Sequence, residues 1–346
     1  MVRRGRNSRR KRGFGAGGTL LVVFLVVLGA AGAAAWLVLT PFGPQSETFV
    51  EVAPGTSAAR IAQQLDAAGV VRSKFAFDLV RWLERGKLRA GEYRFDHPAT
   101  VTEVYARIER GDVYTIAVVV PEGSSVFDIG ARLQQAGFGT EKEFVDEQAR
   151  QVSLIEDLDP GAKSLEGYLF PDTYRFPRTA TMAQITSTMV RRFRHEAARL
   201  GLKENVHNVV TMASLVERET AVDSERPLVA SVFENRLAKD MPLMTDPSVI
   251  YGLELAGQWH GAIHESDLKW NTSYNTYLHT GLPPGPIANP GIRSLQAAME
   301  PAHTSYLYFV AAGVDPQGHS LFASTLEEHA RDVAGYRHAL KKAGER

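Results

Sequence analysis

Two glutamates, Glu217 and Glu219, lie in a run with the apolar spacing of a helix, 206–221. On a helical wheel both carboxyl groups project among apolar residues. Burial disfavours the charged form of a carboxyl and raises its pKa, and a carboxyl that keeps its proton can act as a general acid in glycosidic cleavage. The face that we expect to be solvated carries Thr211, Ser214 and Arg218.

The same pattern also fits a structural role for these glutamates. Buried carboxylates are commonly paired with buried cations, and Arg226 and Arg236 are the candidate partners. Periodicity alone does not choose between a catalytic acid and an ion pair.

A second block, 165–174, interleaves aromatic and acidic residues. Aromatic rings stack on sugar faces and carboxylates bind hydroxyl groups, so Glu166, Tyr168 and Asp172 could form a sugar platform. The block equally fits a strand at 166–170 followed by a turn, with ordinary core aromatics.

A third block, 240–291, is a tract rich in Gly, Pro, Asn and Tyr for which we predict little regular structure. Pro beside Gly gives a loop that is fixed in shape and tolerant of close backbone approach, as the wall of a cleft requires. The side chains that we expect to serve this cleft are Asn235, just before the tract, and Asp246, Tyr274, Asn275 and Tyr277 within it.

Metal and cofactor chemistry find little support in the sequence. His260 and His264 are four residues apart, but Gly261 weakens a helix there and no Glu motif accompanies them. A chain with 0 cysteines has no disulfide framework and no thiolate metal site. Nucleophile-elbow, phosphate-loop and lysine cofactor motifs are also missing from the sequence, so we expect no metal and no cofactor.

The N-terminus has the pattern of a membrane anchor. Seven basic residues and no acid occur in the first twelve positions, and an uncharged run follows at 19–40. A bilayer core needs roughly 20 apolar residues, and basic segments stay in the cytoplasm. We therefore expect a single-pass protein of the cell inner (cytoplasmic) membrane, with a cytoplasmic N-terminus and its bulk in the periplasm or otherwise outside the cytoplasm. A cleaved signal peptide is the alternative, although its apolar region would be about half as long.

The charge balance bears on the partner. The chain has 39 basic and 39 acidic residues, so removing the seven basic residues of the arm leaves 32 against 39. A mildly acidic exported region argues against nucleic acid as a partner.

An internal repeat with a spacing of 68 residues follows a short linker. Each copy predicts a strand, a Pro/Gly turn, a Ser-capped helix, a second helix and a closing strand. The first copy gives strand 48–52, cap Ser57, helix 74–84 and strand 91–95, and the second gives strand 114–120, cap Ser125, helix 141–150 and strand 166–170. This β-α-α-β unit resembles a LysM-like glycan-binding module, and a duplicated scaffold without a ligand fits the pattern equally well.

The fold class that we predict is α+β, with an N-terminal transmembrane helix, a tandem LysM-like β-α-α-β region and a mixed α/β catalytic domain with a long Pro/Gly-rich loop tract. In its last part we predict helices at 227–238 and 294–299, a strand at 306–311 and a helix from Leu326. The predicted boundaries are a basic cytoplasmic arm 1–18, the transmembrane helix 19–40, a linker 41–48, a LysM-like subdomain 49–112, a second repeat-like subdomain 113–178 and the catalytic domain 179–346.

Several long blocks, in order along the chain, resemble the endolytic murein transglycosylase family (MltG or YceG-like). The blocks that carry the resemblance are 166–174, 214–220, 232–237, 241–252, 274–277 and 281–287. Two departures are visible: Asp240 stands where the family commonly has Gly, and Met244 where it commonly has Gln.

The resemblance implies lytic cleavage of the MurNAc–GlcNAc bond in peptidoglycan, leaving a 1,6-anhydro-MurNAc end and limiting strand length during cell-wall synthesis. It also implies that Glu217, the first Glu of the Val-Glu-x-Glu-Thr motif, is catalytic. The remaining named residues would then orient the site or bind sugar hydroxyls. As partners we expect glycan strands and the membrane, with peptidoglycan synthases as further candidates.

Two alternatives stay open at this point. A membrane-tethered glycan-binding scaffold would use Glu217 only as a buried salt-bridge partner. A hydrolase would leave reducing MurNAc ends and not anhydro ends.

Overall fold

The computed structural model describes residues 16–314 and 318–344, so most of the basic arm lies outside the described residues. The chain divides into two compact units, 1–115 and 116–346. The fold is mixed α/β, and within the described residues each sheet has two antiparallel strands. We call the two parts unit 1 and unit 2.

Unit 1 begins with a long apolar helix and continues as a β-α-α-β unit with one further helix. Its elements are α1 (Ala16–Leu39), β1 (Thr48–Val52), α2 (Ala58–Ala67), α3 (Lys74–Glu84), β2 (Gly91–Phe95) and α4 (Val101–Arg110). By length and composition, residues 17–39 of α1 can cross a bilayer.

Unit 2 repeats the β-α-α-β pattern and adds a helical region with a small sheet. Its elements are β3 (Ile116–Val120), α5 (Val126–Gln135), α6 (Glu141–Arg150), β4 (Asp172–Phe176), α7 (Met182–Leu200), α8 (Val206–Glu219), α9 (Arg226–Leu237), α10 (Asp246–Leu255), α11 (Ile292–Met299), β5 (Tyr308–Ala311), β6 (Ser320–Ala323) and α12 (Leu326–Gly344).

The two copies of the repeat fold alike because their local signals are alike. Ser57 and Ser125 each accept a hydrogen bond from the backbone N–H three residues later, at the start of α2 and of α5. β1 pairs antiparallel with β2, and β3 pairs antiparallel with β4. In β1, β2, β3 and β4 the buried residues alternate with more exposed ones, so each strand pair covers its own core.

The strand predicted at 166–170 is wrong, and β4 begins at Asp172. Leu165, Tyr168 and Leu169 are all 0% exposed, so this stretch lacks the alternation of a half-buried strand. Gly167 has a φ of 88°, which fits the buried turn that forms there.

The tract 240–291 contains more regular structure than predicted, because α10 lies within it. Pro247 is in the first turn of α10, where the missing N–H costs nothing and the fixed φ favours a helix. Helices α4 and α7 and strand β6 were not among the predicted elements.

The core of unit 2 is continuous across the predicted boundary at 178/179. One cluster of buried side chains joins Val118 and Tyr174 of the repeat to Phe193 of α7 and Val210 of α8. The repeat therefore supports the helix that carries the two glutamates.

Gly167→Ala should destabilise unit 2 more than Gly137→Ala does. Both glycines have positive φ, 88° and 83°, which costs an Ala about 1–2 kcal/mol. A Cβ at Gly167 would lie 2.6 Å from the Pro286 ring and 2.7 Å from Val210, whereas nothing lies within 4 Å at Gly137. The overpacking should add about 1–3 kcal/mol to the loss in unfolding free energy, measured by thermal unfolding in detergent. Equal losses for the two variants would contradict this packing.

Candidate active site

The middle of helix α8, residues 210–216, is buried, and its end carries the two glutamates. Thr211 and Ser214 are 0% exposed, so the prediction that they lie on a solvated face is wrong. Ser214 accepts a hydrogen bond from the Ile287 N–H at 3.0 Å, because the chain after α10 packs over this side of the helix. Of the three residues predicted to be solvated, Arg218 alone is exposed.

Glu217 is held in a buried ion pair. Arg226 Nη1 donates to Glu217 Oε1 at 2.8 Å, and the Gly291 N–H donates to Oε2 at 2.9 Å. Both charged side chains are 5% exposed. Arg226 also donates to Ser294 and to Asp223, so each side of the pair has further polar partners. This is the arginine pairing that the sequence left open.

Glu219 faces a different environment, a cleft of about 420 Å³ in unit 2. Burial raises the pKa of the Glu219 carboxyl to about 6, and the nearby charge of Asp246 acts in the same direction. The Thr245 hydroxyl and the Arg236 guanidinium act in the opposite direction. Glu219 is thus a carboxyl group with an elevated pKa in a cleft of ligand size.

The wall of the cleft brings together residues from four helices, a strand and two loops. Tyr277 donates a hydrogen bond from its hydroxyl to Asp246 Oδ1 at 2.6 Å. The lining residues are Glu219, Arg236, Leu243, Met244, Asp246, Tyr277, Tyr308, Phe309, Leu326 and His329.

Arg236 of α9 forms hydrogen bonds with two parts of this wall. Its Nε donates to the Leu307 carbonyl and its Nη1 to the Leu243 carbonyl, each at 2.7 Å. The guanidinium lies 5.4 Å from the centre of the Tyr308 ring. Arg236 therefore sets the position of both the strand β5 and the loop before α10.

The two departures from the family pattern have unusual backbone conformations. Asp240 and Met244 have φ values of 51° and 52°, in the left-handed region that Gly enters without strain. Met244 lines the cleft, and its N–H donates to the Thr276 carbonyl at 3.1 Å. Local strain of this kind often occurs at functional sites.

Glu166 lies away from the cleft, fully buried at 1% exposure. Its carboxyl accepts hydrogen bonds from the Val126 N–H at 2.9 Å and from the Asn289 side chain at 2.8 Å. Burial raises the pKa of Glu166 to about 8. Asn289 also accepts from the Leu169 N–H and donates to the Ser124 carbonyl. The hydrogen-bonded pair of Glu166 and Asn289 therefore connects three turns of unit 2.

The other predicted site residues make hydrogen bonds and ion pairs within unit 2. Tyr168 is fully buried and donates to Asp159, Asp172 pairs with Arg192, and Asn235 donates to two carbonyls before β5. Asn275 is 0% exposed and donates to the carbonyls of Leu268 and Trp270.

Tyr274 lines a separate cavity of about 200 Å³, with Tyr168 and His207. The structure therefore brings Glu219, Asp246 and Tyr277 together and separates the remaining predicted residues from them. The sequence interpretation missed Asn289 and the cleft residues Tyr308, Phe309 and His329. Arg236 appeared in it only as a possible ion-pair partner.

The chain is similar to known proteins along most of its length. Residues 50–335 match the model of the YceG-like family. An endolytic murein transglycosylase of Bacillus subtilis (strain 168) is 33% identical over 323 residues, which cover 86% of this chain and 88% of that protein. A second endolytic murein transglycosylase, from Streptococcus pneumoniae (serotype 2, strain D39), is 27% identical over 353 residues, covering 90% of this chain and 64% of that protein.

A solved structure is also similar. The crystal structure of a yceG-like protein from Listeria monocytogenes superimposes with a TM-score of 0.54 at 31% sequence identity. The similarity covers 83% of this chain and 99% of that chain.

Truncating Glu217 should destabilise unit 2 far more than truncating Glu219. Glu217→Ala leaves a buried guanidinium without its carboxylate, which costs about 3–5 kcal/mol. Glu219→Ala removes a carboxyl whose charged form is already disfavoured by burial, so its cost should be much smaller. Thermal unfolding of both variants at pH 7 measures the difference. A larger loss for Glu219→Ala would contradict the ion-pair assignment.

Proposed function

This chain belongs to the YceG-like family, and we propose that it is an endolytic murein transglycosylase, a lyase that cleaves the MurNAc–GlcNAc bond of peptidoglycan strands. The observation that carries the proposal is Glu219, a carboxyl with a pKa raised to about 6 in a cleft of about 420 Å³. We assign Glu219 as the catalytic acid.

The lytic reaction explains how one carboxyl can suffice. Ordinary glycosidases use two carboxyl groups, one for the leaving oxygen and one for water or nucleophilic attack. In the lytic reaction the bond from C1 of MurNAc to the bridging oxygen breaks first, and the C6 hydroxyl then attacks C1 to form the C1–O6 bond. Glu219 gives its proton to the bridging oxygen and then takes the proton of the C6 hydroxyl. No water is consumed, and the product carries a 1,6-anhydro end.

The geometry favours Glu219 over Glu217 for this role. The Glu217 carboxylate already accepts hydrogen bonds from Arg226 and Gly291, and neither it nor these partners lines the cleft. A general acid must reach the substrate oxygen. The resemblance to the family implied Glu217, and that assignment stays a prediction that the experiment below separates from ours.

The rest of the cleft suits a sugar chain. Asp246 and Tyr277 offer an acceptor and a hydroxyl group for sugar hydroxyls. Two residues of the cleft wall also act on the pKa of Glu219: Asp246 raises it and Arg236 lowers it.

The apolar helix α1 supports a membrane location for this activity. We propose that α1 is an uncleaved single-pass anchor in the cytoplasmic membrane, with the basic arm in the cytoplasm and the rest of the chain, from the linker 41–48 onward, outside. The β-α-α-β region of unit 1 would act as a LysM-like glycan-binding module. The linker 41–48 reaches at most about 28 Å, so unit 1 stays near the bilayer, where new strands emerge. The enzyme would thus limit the length of nascent strands, alongside peptidoglycan synthases.

Glu219→Gln should abolish lytic activity while leaving the fold intact. The amide cannot protonate the bridging oxygen, and loss of a general acid lowers the rate by roughly 10²–10⁴-fold. The measurement is release of anhydro-muropeptides from purified peptidoglycan, followed by mass spectrometry, in which hydrolytic products are heavier by one water. The matched variant is Glu217→Gln, which should lose stability but keep activity at temperatures where it is folded. If Glu217→Gln were folded but inactive while Glu219→Gln stayed active, Glu217 would be the catalytic acid.

The pH profile should report the Glu219 pKa. A general acid with a raised pKa near 6 is protonated below that pH, so kcat/KM should fall as the pH rises through about 6. Asp246→Asn removes a charge that raises this pKa, and the falling limb should therefore move to lower pH. Asp223→Asn, which changes a carboxylate near Arg226, is the control and should leave the limb in place. A limb that moves with Asp223→Asn alone would contradict the assignment.

A further inference from the structure

Helix α3 in unit 1 carries an exposed apolar face. Phe75, Leu79, Trp82 and Leu83 are 72%, 37%, 66% and 62% exposed. Their spacing of i, i+4, i+7 and i+8 puts them on one side of the helix. Single exposed apolar residues are ordinary on protein surfaces, but two large aromatic and two leucine side chains in one stripe mark an interaction surface. We call these four residues the α3 stripe.

The α3 stripe is distinct from the face that α3 buries. Ala76, Phe77 and Val80 are at most 4% exposed and belong to the core of unit 1. Arg81 points to a third, charged side of the helix, roughly 160° from Leu83 at 3.6 residues per turn. The stripe therefore has no role in the core of unit 1.

The start of α3 lies against the end of α1. The Arg72 guanidinium, just before α3, lies 4.4 Å from the Trp36 ring of α1 and 4.6 Å from the Phe42 ring. Leu37 and Val38 of α1 pack against the core that includes Phe77. These contacts fix the first turn of α3 near the C-terminal end of the apolar helix.

The length of α1 indicates the depth in a bilayer at which α1 contacts the start of α3. Residues 17–39 extend about 35 Å as a helix, slightly more than the hydrocarbon core of about 30 Å. Trp36, near the end of the span, is then at the membrane–water interface, where tryptophan is enriched. The first turn of α3 consequently lies at the level of the lipid headgroups.

The charges around the α3 stripe suit the same surface. The segment 74–89 contains five basic residues, among them Lys74, Arg81 and Arg85, and two acidic ones, Asp78 and Glu84. Basic residues that flank aromatic and leucine side chains are typical of helices that lie in the interface of anionic membranes.

We propose that α3 lies in the interface of the leaflet that α1 exits, with the α3 stripe inserted among the lipid acyl chains. The proposal rests on the membrane anchor of the proposed function and adds a second attachment to it. Two attachments hold unit 1 against the lipid surface and restrict its rotation about the linker. The glycan that unit 1 meets is then the part of a strand next to its lipid carrier.

Spin labels at single cysteines test the proposal on the full chain in nanodiscs that contain anionic phospholipid. The chain has 0 native cysteines, so each introduced label is the only one. Leu83→Cys reports on the stripe, Arg81→Cys on the charged side of the same helix, and Val26→Cys on the anchor. We expect the label at position 83 to be accessible to oxygen and protected from a water-soluble nickel chelate, as the label at 26 is. The label at 81 should be accessible to the chelate.

The outcomes separate this proposal from the anchor. Chelate accessibility at 83 equal to that at 81, with 26 in the bilayer, would overturn the insertion of α3 and leave the anchor in place. Chelate accessibility at 26 would overturn both. If the label at position 83 were protected from both oxygen and the chelate, a protein partner would cover the stripe, and the proposal would be overturned. Dipolar broadening of the label's spectrum would identify that partner as a second copy of this chain. Trp82→Ser added to Leu83→Cys should increase chelate accessibility at 83 and leave the label at 26 unchanged.

Discussion

Residues two positions apart on an α-helix point in directions about 200° apart, so Glu217 and Glu219 project from different sides of α8. The middle of α8 is buried in the core of unit 2, and the two glutamates at its end enter two separate environments. Glu217 enters the interface with α9 and α11, where Arg226 neutralises it. Glu219 enters the cleft, where burial and Asp246 together favour its protonated form.

The two environments depend on each other through the packing of unit 2. The ion pair of Glu217 and Arg226 fixes the end of α8 against α9, and α9 carries Arg236 to the opposite wall of the cleft. Asn289 and Glu166 hold the turns of the second repeat against the loop that covers α8. A buried charge pair is weak evidence for net stability, but it specifies one arrangement strongly, because either partner alone is costly. We infer that this pair is structural: it holds the end of α8 against α9.

The parts of the fold that could be predicted from the sequence have local causes. The Ser57 and Ser125 caps, the helices 74–84 and 141–150 and the strands 48–52 and 91–95 follow from spacing and turn residues alone. The capping boxes at Thr100 and Thr181 also mark the starts of α4 and α7, so these helices were predictable from local signals. The turn at 166–170 was not, because its aromatic residues are buried by distant segments.

The site was predictable only in part, for the same reason. The wheel placed both glutamates among apolar residues, but which one meets an arginine and which one meets a cleft depends on α9, α10 and β5. Tyr308 and His329 come from elements remote in sequence, and Asn289 has no local signal that distinguishes it from other loop asparagines. The resemblance to the family implied Glu217 as the catalytic residue, which stays a prediction, and it gave no direction for either carboxyl.

A crystal structure of Glu219→Gln with a bound peptidoglycan strand tests the central claim most directly. Our account predicts the bridging oxygen of a MurNAc–GlcNAc bond within about 2.6–3.2 Å of the side chain at position 219, with Glu217 still paired to Arg226. A strand whose bridging oxygen lies against Glu217, with Arg226 displaced from it, would contradict the account.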